Sequence, residues 1–252
     1  IALREKEYGI LKEETWQGYL TNVKELALGL FSLGLRKGEK VCFIFDNRPQ
    51  WLYTELAAMA IAAIPFGIYS DMEDLEGIHY LLDFSDAKFV IVENQEQTDK
   101  VLAIKERLPQ LKGIIVDDFD ELRGYTDPLL MEFSQVQKRG REIDTQSPDL
   151  FRKHLERLLP DDIVMLSTTS GTTSSPKLAM LTHKNLIAMA KGLNQVDPSF
   201  PGDNYFSFLP PAWIGEREFT IALALVCGLT VNFPEKSETV QRDMREIGPQ
   251  TL

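Results

Sequence analysis

The run Ser167–Lys177 reads STTSGTTSSPK, and every residue before the closing Pro176 and Lys177 is Ser, Thr or Gly. Hydroxyls are rotatable donors, and backbone N–H groups in a Gly-containing turn form concave nests for anions. A single lysine adds a point charge without demanding bidentate geometry. Ser170, Gly171, Thr172, Thr173, Ser174, Ser175 and Lys177 therefore hold the parts of a polyphosphate cradle. A solvated linker could share this composition. Two features weigh against one: the run lies between the apolar stretches IVMLS (163–167) and LAML (178–181), and Pro176 stiffens the approach to the cation. It is not a Walker loop, which needs glycine before the lysine, Ser or Thr after it, and a helix beyond. Here Pro176 precedes Lys177, Leu178 follows, and the next segment has the pattern of a strand.

Other residues with chemical potential carry blander readings. His183 follows a strand at a helix start, where a cap or packing role competes with catalysis. His79 and His154 have no metal-ligand spacing and no cysteine partner. Asp117, Asp118, Asp120 and Glu121 lack the glycine and spacing of a calcium loop and read as a solvated turn. Glu216 and Arg217, adjacent at a helix start, most simply cap the helix and make an ion pair. Trp213 directly precedes that helix, and by spacing alone it packs on the segment from Ile214.

The elements that must position these residues alternate in type. Trp16, Tyr19, Leu20, Val23, Leu26, Ala27, Leu30 and Leu33 recur at helical spacing, with Thr15 placed to cap and Gly34 to stop. VCFIF (41–45) suits a strand buried on both faces, and a helix follows with Pro49 in its first turn. Strands are predicted at 66–69, 88–92 and 113–116, with helices around 75–84 and 98–108. The later segments read as strand 163–167, strand 178–181, a helix beginning THKNLIAMAKGLN, strand YFSFL (205–209), an apolar helix through 221–227 and strand LTVNF (229–233). Strands separated by helices imply parallel pairing with crossover helices. The expected organisation is a first α/β lobe over 1–123, a connecting segment over 124–160, and a second lobe over 161–252 carrying the Ser/Thr loop.

The 252 residues are 44% hydrophobic with a net charge of −11, a globular composition that disfavours nonspecific nucleic-acid binding. Cys42 and Cys227 sit in separate apolar runs and read as reduced core residues of a cytosolic protein. The longest uncharged apolar stretch, 56–69, is interrupted by Pro65 and falls short of the roughly 20 residues a spanning helix needs. The chain opens on Ile1 and closes on GPQTL, so it is expected to be a piece of a longer protein.

STTSGTTSSPKLAMLTHKN resembles the signature loop of the adenylate-forming superfamily, which includes acyl-CoA synthetases, firefly luciferase and adenylation domains of nonribosomal synthetases. Thr169, Ser170, Gly171, Thr172, Thr173, Pro176, Lys177, Thr182 and His183 match its pattern, while Ser174 and Leu178 stand where glycine is usual. ALREKEYGI, TWQGYL, DNRPQW and FLPPAWIGER resemble the long-chain fatty acyl-CoA synthetase branch. In the last of these Leu209, Pro210, Ala212, Glu216 and Arg217 match, and Trp213 replaces a histidine. The resemblance implies an acyl-CoA synthetase-like N-terminal domain fragment of α/β fold, with largely parallel sheets flanked by helices. It further implies an AMP-forming ligase that turns a fatty acid, ATP and coenzyme A into acyl-CoA through an acyl-adenylate, with magnesium as cofactor. By the same resemblance, Thr169, Ser170, Gly171, Thr172, Thr173, Ser174, Ser175 and Lys177 bind nucleotide phosphates, Thr172 lies nearest magnesium, Lys177 and Thr172 serve the chemistry, and Trp213 lines the acyl channel. The rivals are a ligase for aryl or short acids and a non-catalytic relative that binds acyl chains or nucleotide. The adenine, ribose and second-domain residues would lie downstream, so the chain alone is expected to be inert. A cytoplasmic location with peripheral membrane contact fits this reading.

Overall fold

The computed structural model describes residues 1–169 and 176–251. The chain starts with a hairpin, β1 (Leu3–Glu7) and β2 (Ile10–Glu14), paired antiparallel from Leu3↔Glu14 to Glu7↔Ile10. Its two-residue turn has positive φ at both Tyr8 (49°) and Gly9 (74°), the backbone twist that a tight hairpin requires. Helix α1 (Trp16–Ser32) follows, and the Thr15 hydroxyl accepts from the Gly18 N–H at its start.

An alternating βα region comes next: β3 (Lys40–Ile44), α2 (Pro49–Ala60), β4 (Ile64–Gly67), α3 (Leu75–Phe84), β5 (Ala87–Val92), α4 (Gln95–Ile104), β6 (Gly113–Val116) and β7 (Leu130–Glu132). Its five strands form an all-parallel sheet in the order β4-β3-β5-β6-β7. β4 lies two residues earlier than the sequence predicts, since the turn after α2 is tight and Ile64 already pairs with Lys40.

The segment 124–160, read from the sequence as a connecting segment, contains α5 (Phe133–Gln146) and α6 (Leu150–Leu155). α5 lies so close on α1 that a Cβ on Gly140 would sit 1.7 Å from the Glu25 carbonyl oxygen. β8 (Ile163–Thr169) and β9 (Lys177–Thr182) form an antiparallel pair, and α7 (His183–Val196) leaves it through a capping box between Thr182 and Asn185. The remaining elements are β10 (Asn204–Phe206), α8 (Ile214–Arg217), a π-helical stretch (Glu218–Leu223), α9 (Ala224–Cys227), β11 (Thr230–Phe233) and α10 (Val240–Ile247).

The third sheet has the order β10-β11-β1-β2. β1 pairs in parallel with β11 from Leu3↔Val231 to Glu5↔Phe233, so the first strands share a sheet with the last. One large core joins α1, α2 and the π-helical stretch, and a second fills the other face of the five-stranded sheet around Ile44, Val90, Ile114 and Leu166. Cys42 and Cys227 are buried and free. No helix among the described residues is long and apolar enough to cross a membrane.

Candidate functional site

β8 and β9 are the two stems of the Ser/Thr loop. Thr169 pairs with Lys177, and the Thr169 hydroxyl donates to the Lys177 carbonyl at 3.4 Å, which closes the base of the loop. Ser170, Gly171, Thr172, Thr173, Ser174 and Ser175 lie outside the described residues. Lys177 is exposed at the start of β9. Leu178, where relatives of the motif usually have glycine, packs its side chain against the second core. That packing gives the leucine a structural reason for its place. Across the loop's exit, the Tyr80 hydroxyl donates to the Pro176 carbonyl at 3.2 Å.

The stems open on a cavity of about 420 Å3 lined by Ile68, Met72, Thr168, Thr169, Pro176 and Trp213, among others. Trp213 reaches it from the turn between β10 and α8, where it is the N-cap of that short helix and 44% exposed. The indole lies over Gly215, where a Cβ would stand 2.2 Å from Trp213 Cζ3. Trp213 is therefore not a core residue. Gly67, at the end of β4, has the same purpose on the other side. A Cβ there would meet the Ala212 Cα and the Phe43 ring, each at 2.7 Å. These two glycines let the tryptophan turn lie close to the strand ends.

Glu216 and Arg217 depart from their expected roles. Neither caps the helix, and both are fully buried. Arg217 forms its ion pair with Glu55 of α2, the one charge inside the apolar run LYTELAAMA, with Nε to the two carboxylate oxygens at 2.8 and 3.0 Å. Glu216 accepts from the Tyr205 hydroxyl at 2.7 Å and the Leu209 N–H at 3.2 Å. Burial outweighs these hydrogen bonds and pushes its pKa up to about 7. Asn47 donates to the Ser207 hydroxyl and the Leu209 carbonyl, both at 2.8 Å, so the turn before Trp213 is held from two sides. Sequence reasoning missed Glu55, Asn47 and Tyr205. The isolated glutamate in an apolar helix was the one available signal.

The histidines stay apart from this cavity. His183 is the first residue of α7, burial lowers its pKa, and it borders a separate apolar cavity of about 600 Å3 between α1, α2, α6 and α7. Thr182, not His183, is the cap. His154 packs edge-on against Phe31, and His79 lies beside Arg107. Among the described residues no group of three His, Cys, Asp or Glu side chains could hold a metal ion.

A third cavity, about 730 Å3, lies where the strand order reverses between β3 and β5. Arg48 there faces Glu93 and Asp117 at 3.3 Å and Glu5 at 4.0 Å. Asp117 is thus tied to a cation instead of lying in a solvated turn, and burial raises its pKa to about 6. This cavity is larger than the one at the loop, but its lining carries more carboxylates than cations, an acidic surface that disfavours a polyphosphate. The loop cavity brings the hydroxyls of Thr168 and Thr169 to an indole wall beside the exposed start of β9, so the chemistry favours it as the candidate site.

Comparison with known proteins agrees with this architecture. A family model described as AMP-binding enzyme matches residues 5–252. The chain is 28% identical over 226 residues to the long-chain-fatty-acid–CoA ligase heimdall of Drosophila melanogaster, covering 88% of this chain and 33% of that protein. It is 26% identical over 242 residues to the peroxisomal long chain acyl-CoA synthetase 7 of Arabidopsis thaliana, covering 92% and 33%. The chain thus spans about a third of the length of the curated relatives it matches. Among solved structures, a long-chain-fatty-acid-CoA ligase (FadD1) from Archaeoglobus fulgidus superposes with a TM-score of 0.78 at 21% identity, over 98% of this chain and 46% of that one. The anthranilate CoA ligase AuaEII in complex with anthranoyl-AMP gives 0.78 at 20% identity, over 98% and 45%. With a match running from residue 5 to residue 252, the chain belongs to the AMP-binding enzyme family.

Proposed function

We propose that this chain is the N-terminal part of an AMP-forming fatty acid–CoA ligase and that the loop cavity is where its acid is activated. The observation that carries the reading is the meeting of the loop's stem residues Thr168, Thr169 and Pro176 with Trp213 on one cavity. The curated relatives named above support the choice of a fatty acid as substrate. In the first half-reaction a carboxylate oxygen attacks the α-phosphorus of ATP, the bond to the β-phosphate oxygen breaks, and pyrophosphate leaves. In the second, the thiol of coenzyme A attacks the acyl carbonyl and loses its proton, and AMP leaves with the former carboxylate oxygen.

Residues of this chain would supply positioning and electrostatics. Thr169, Ser170, Gly171, Thr172, Thr173, Ser174, Ser175 and Lys177 would bind the β- and γ-phosphates and stabilise charge on departing pyrophosphate. The exposure of Lys177 and the hydroxyls of Thr168 and Thr169 at the cavity suit an anion. Magnesium, held by Thr172 and the phosphates, would neutralise phosphate charge when bound. Trp213 would wall the fatty chain, with its indole N–H able to meet a polar partner.

The deciding experiment is carboxylate-dependent ATP–pyrophosphate exchange by the full-length protein with acids of graded length. Exchange that is strongest with long acids supports the reading. Exchange confined to aryl or short acids replaces the substrate, and no exchange with any acid replaces the enzyme with a binding protein.

A further inference from the structure

We propose that Arg217 is a positioning residue for acid activation: with Glu55 as its counter-charge, it ties the strand entering the Ser/Thr loop to the turn that presents Trp213. The inference rests on the function proposed above. Arg217 lies one helical turn after Trp213 and contacts three other elements from within the core. Its Nη1 donates to the Leu166 carbonyl of β8 at 2.6 Å, three residues before Thr169. Its Nε and Nη2 grip Glu55 of α2, and Nη2 also reaches the Pro65 carbonyl of β4 at 3.4 Å. The guanidinium carbon stands 5.7 Å from the centre of the Phe43 ring.

Two of the elements tied by those contacts, and the helix that carries Arg217, lead into the cavity's lining. β8 carries Thr168 and Thr169 to one wall, β4 ends at Gly67 against Ala212, and α8 begins at Trp213. A planar fork with five donors can serve a carboxylate and two carbonyls at once, whereas an ammonium is a compact point charge. Stability alone is a poor reason for the arrangement, because a buried ion pair is often replaced by apolar residues without loss. What an apolar replacement cannot do is bond the Leu166 carbonyl. Glu216, the neighbouring residue, completes the device by fixing the Leu209 N–H at the start of the same turn.

Two variants of the full-length protein test this: Arg217→Lys, which keeps the charge for Glu55, and the double Glu55→Met with Arg217→Met, which removes both charges. Both are expected to melt within a few degrees of the parent. The kcat of ATP–pyrophosphate exchange should fall about tenfold or more, since small misplacements of reacting groups cost up to about a hundredfold. KM for ATP should stay within about threefold, because the loop's own donors hold the phosphates. Trp213 emission, isolated as the difference from a Trp213→Phe background, should shift and become more accessible to acrylamide. A folded variant with parental kcat and parental Trp213 emission overturns the proposal. Loss of folding in both variants also overturns it, since the arginine is then a structural residue. If the parent protein shows no exchange with any acid, the functional reading fails, and Trp213 emission alone decides whether Arg217 positions the turn.

Discussion

Trp213 and Gly215 form one unit, because the indole occupies the volume that a side chain at 215 would need. Gly215→Ala should therefore displace the ring while leaving the helix intact, as alanine is the better helix former by about 1 kcal/mol. In the full-length protein we expect Gly215→Ala and Trp213→Ala to shift the chain-length profile of kcat/KM in the same graded way. One methylene in an apolar pocket is worth only about 1–3 kcal/mol, so no abrupt switch is expected. A drop in melting temperature with an unchanged profile would make the indole a packing residue. For Lys177→Ala we expect adenylate formation to slow by roughly tenfold to a hundredfold, the worth of a charge-assisted contact of about 1.5–3 kcal/mol. Thioester formation started from synthetic acyl-adenylate should change much less; equal loss in both steps would assign Lys177 to the fold. At this scale the loop's stems and Trp213 could be picked out in the sequence by residue type. Of the partners that hold them, Asn47 and Tyr205 carry no local pattern, and Glu55, 162 residues from Arg217, shows only as a lone charge in an apolar helix.

Glycines bring α1 and α5 into close contact. A Cβ on Gly29 of α1 would lie 2.2 Å from the Val136 carbonyl oxygen, and one on Gly140 of α5 would lie 2.8 Å from the Gly29 nitrogen. Arg141 of α5 adds a paired contact to buried Glu25 through two hydrogen bonds of 2.8 Å. Gly140→Ala should force the helices apart and lower stability by about 1–3 kcal/mol or more, the usual effect of overpacking. Gly192→Ala in α7 is the matched control, since nothing lies within 4 Å of its added methyl. Urea melts of the two variants side by side check this, and equal stability would refute the close-packing account. The same contact explains why α5 was hard to read. Its buried face is Phe133, Val136 and Gly140, too small and too glycine-dependent to show as an apolar stripe in a polar run. β1 was hidden for a related reason: buried Lys6 is matched by Asp243, a charge from the far end of the chain, so after Leu3 the strand reads as wholly charged. α1, by contrast, is legible because long aliphatic side chains at helical spacing bury one face and Thr15 caps it. Four strands of the parallel sheet, β3 to β6, were legible because they are buried on both faces and separated by helices, whereas β7 is only half-buried and gave no such signal.

The whole molecule carries a net charge of −11 yet places several carboxyls where ionising them is unfavourable. Burial raises Glu216 to about 7, Glu218 to about 7 and Asp117 to about 6, against hydrogen bonds to Glu216 and nearby arginines beside the other two. In the unfolded chain these groups ionise near 4. Between about pH 4.5 and 7 the folded state therefore binds more protons than the unfolded one, and linkage requires stability to fall as pH rises through that window. Above about pH 7 the loss is complete and the contribution becomes flat. Asp243 acts in the opposite sense: its pKa is held below the usual carboxylate range despite burial, by hydrogen bonds from Lys6, Thr239 and Arg242. Its contribution is lost only as pH falls below about 4, well outside the window that Glu216 controls. Glu216→Gln keeps an acceptor for the Leu209 N–H and removes the proton exchange. From pH 6 to pH 8 the parent should lose about 1.4 kcal/mol more than this variant, one pKa unit's worth of linkage for one group. Subtracting the variant cancels the contributions of Glu218 and Asp117, so urea melts at pH 6, 7 and 8 isolate the single carboxyl. If parent and variant fall in parallel, Glu216 is already ionised in the fold, and the turn before Trp213 is held by a carboxylate instead of a carboxylic acid.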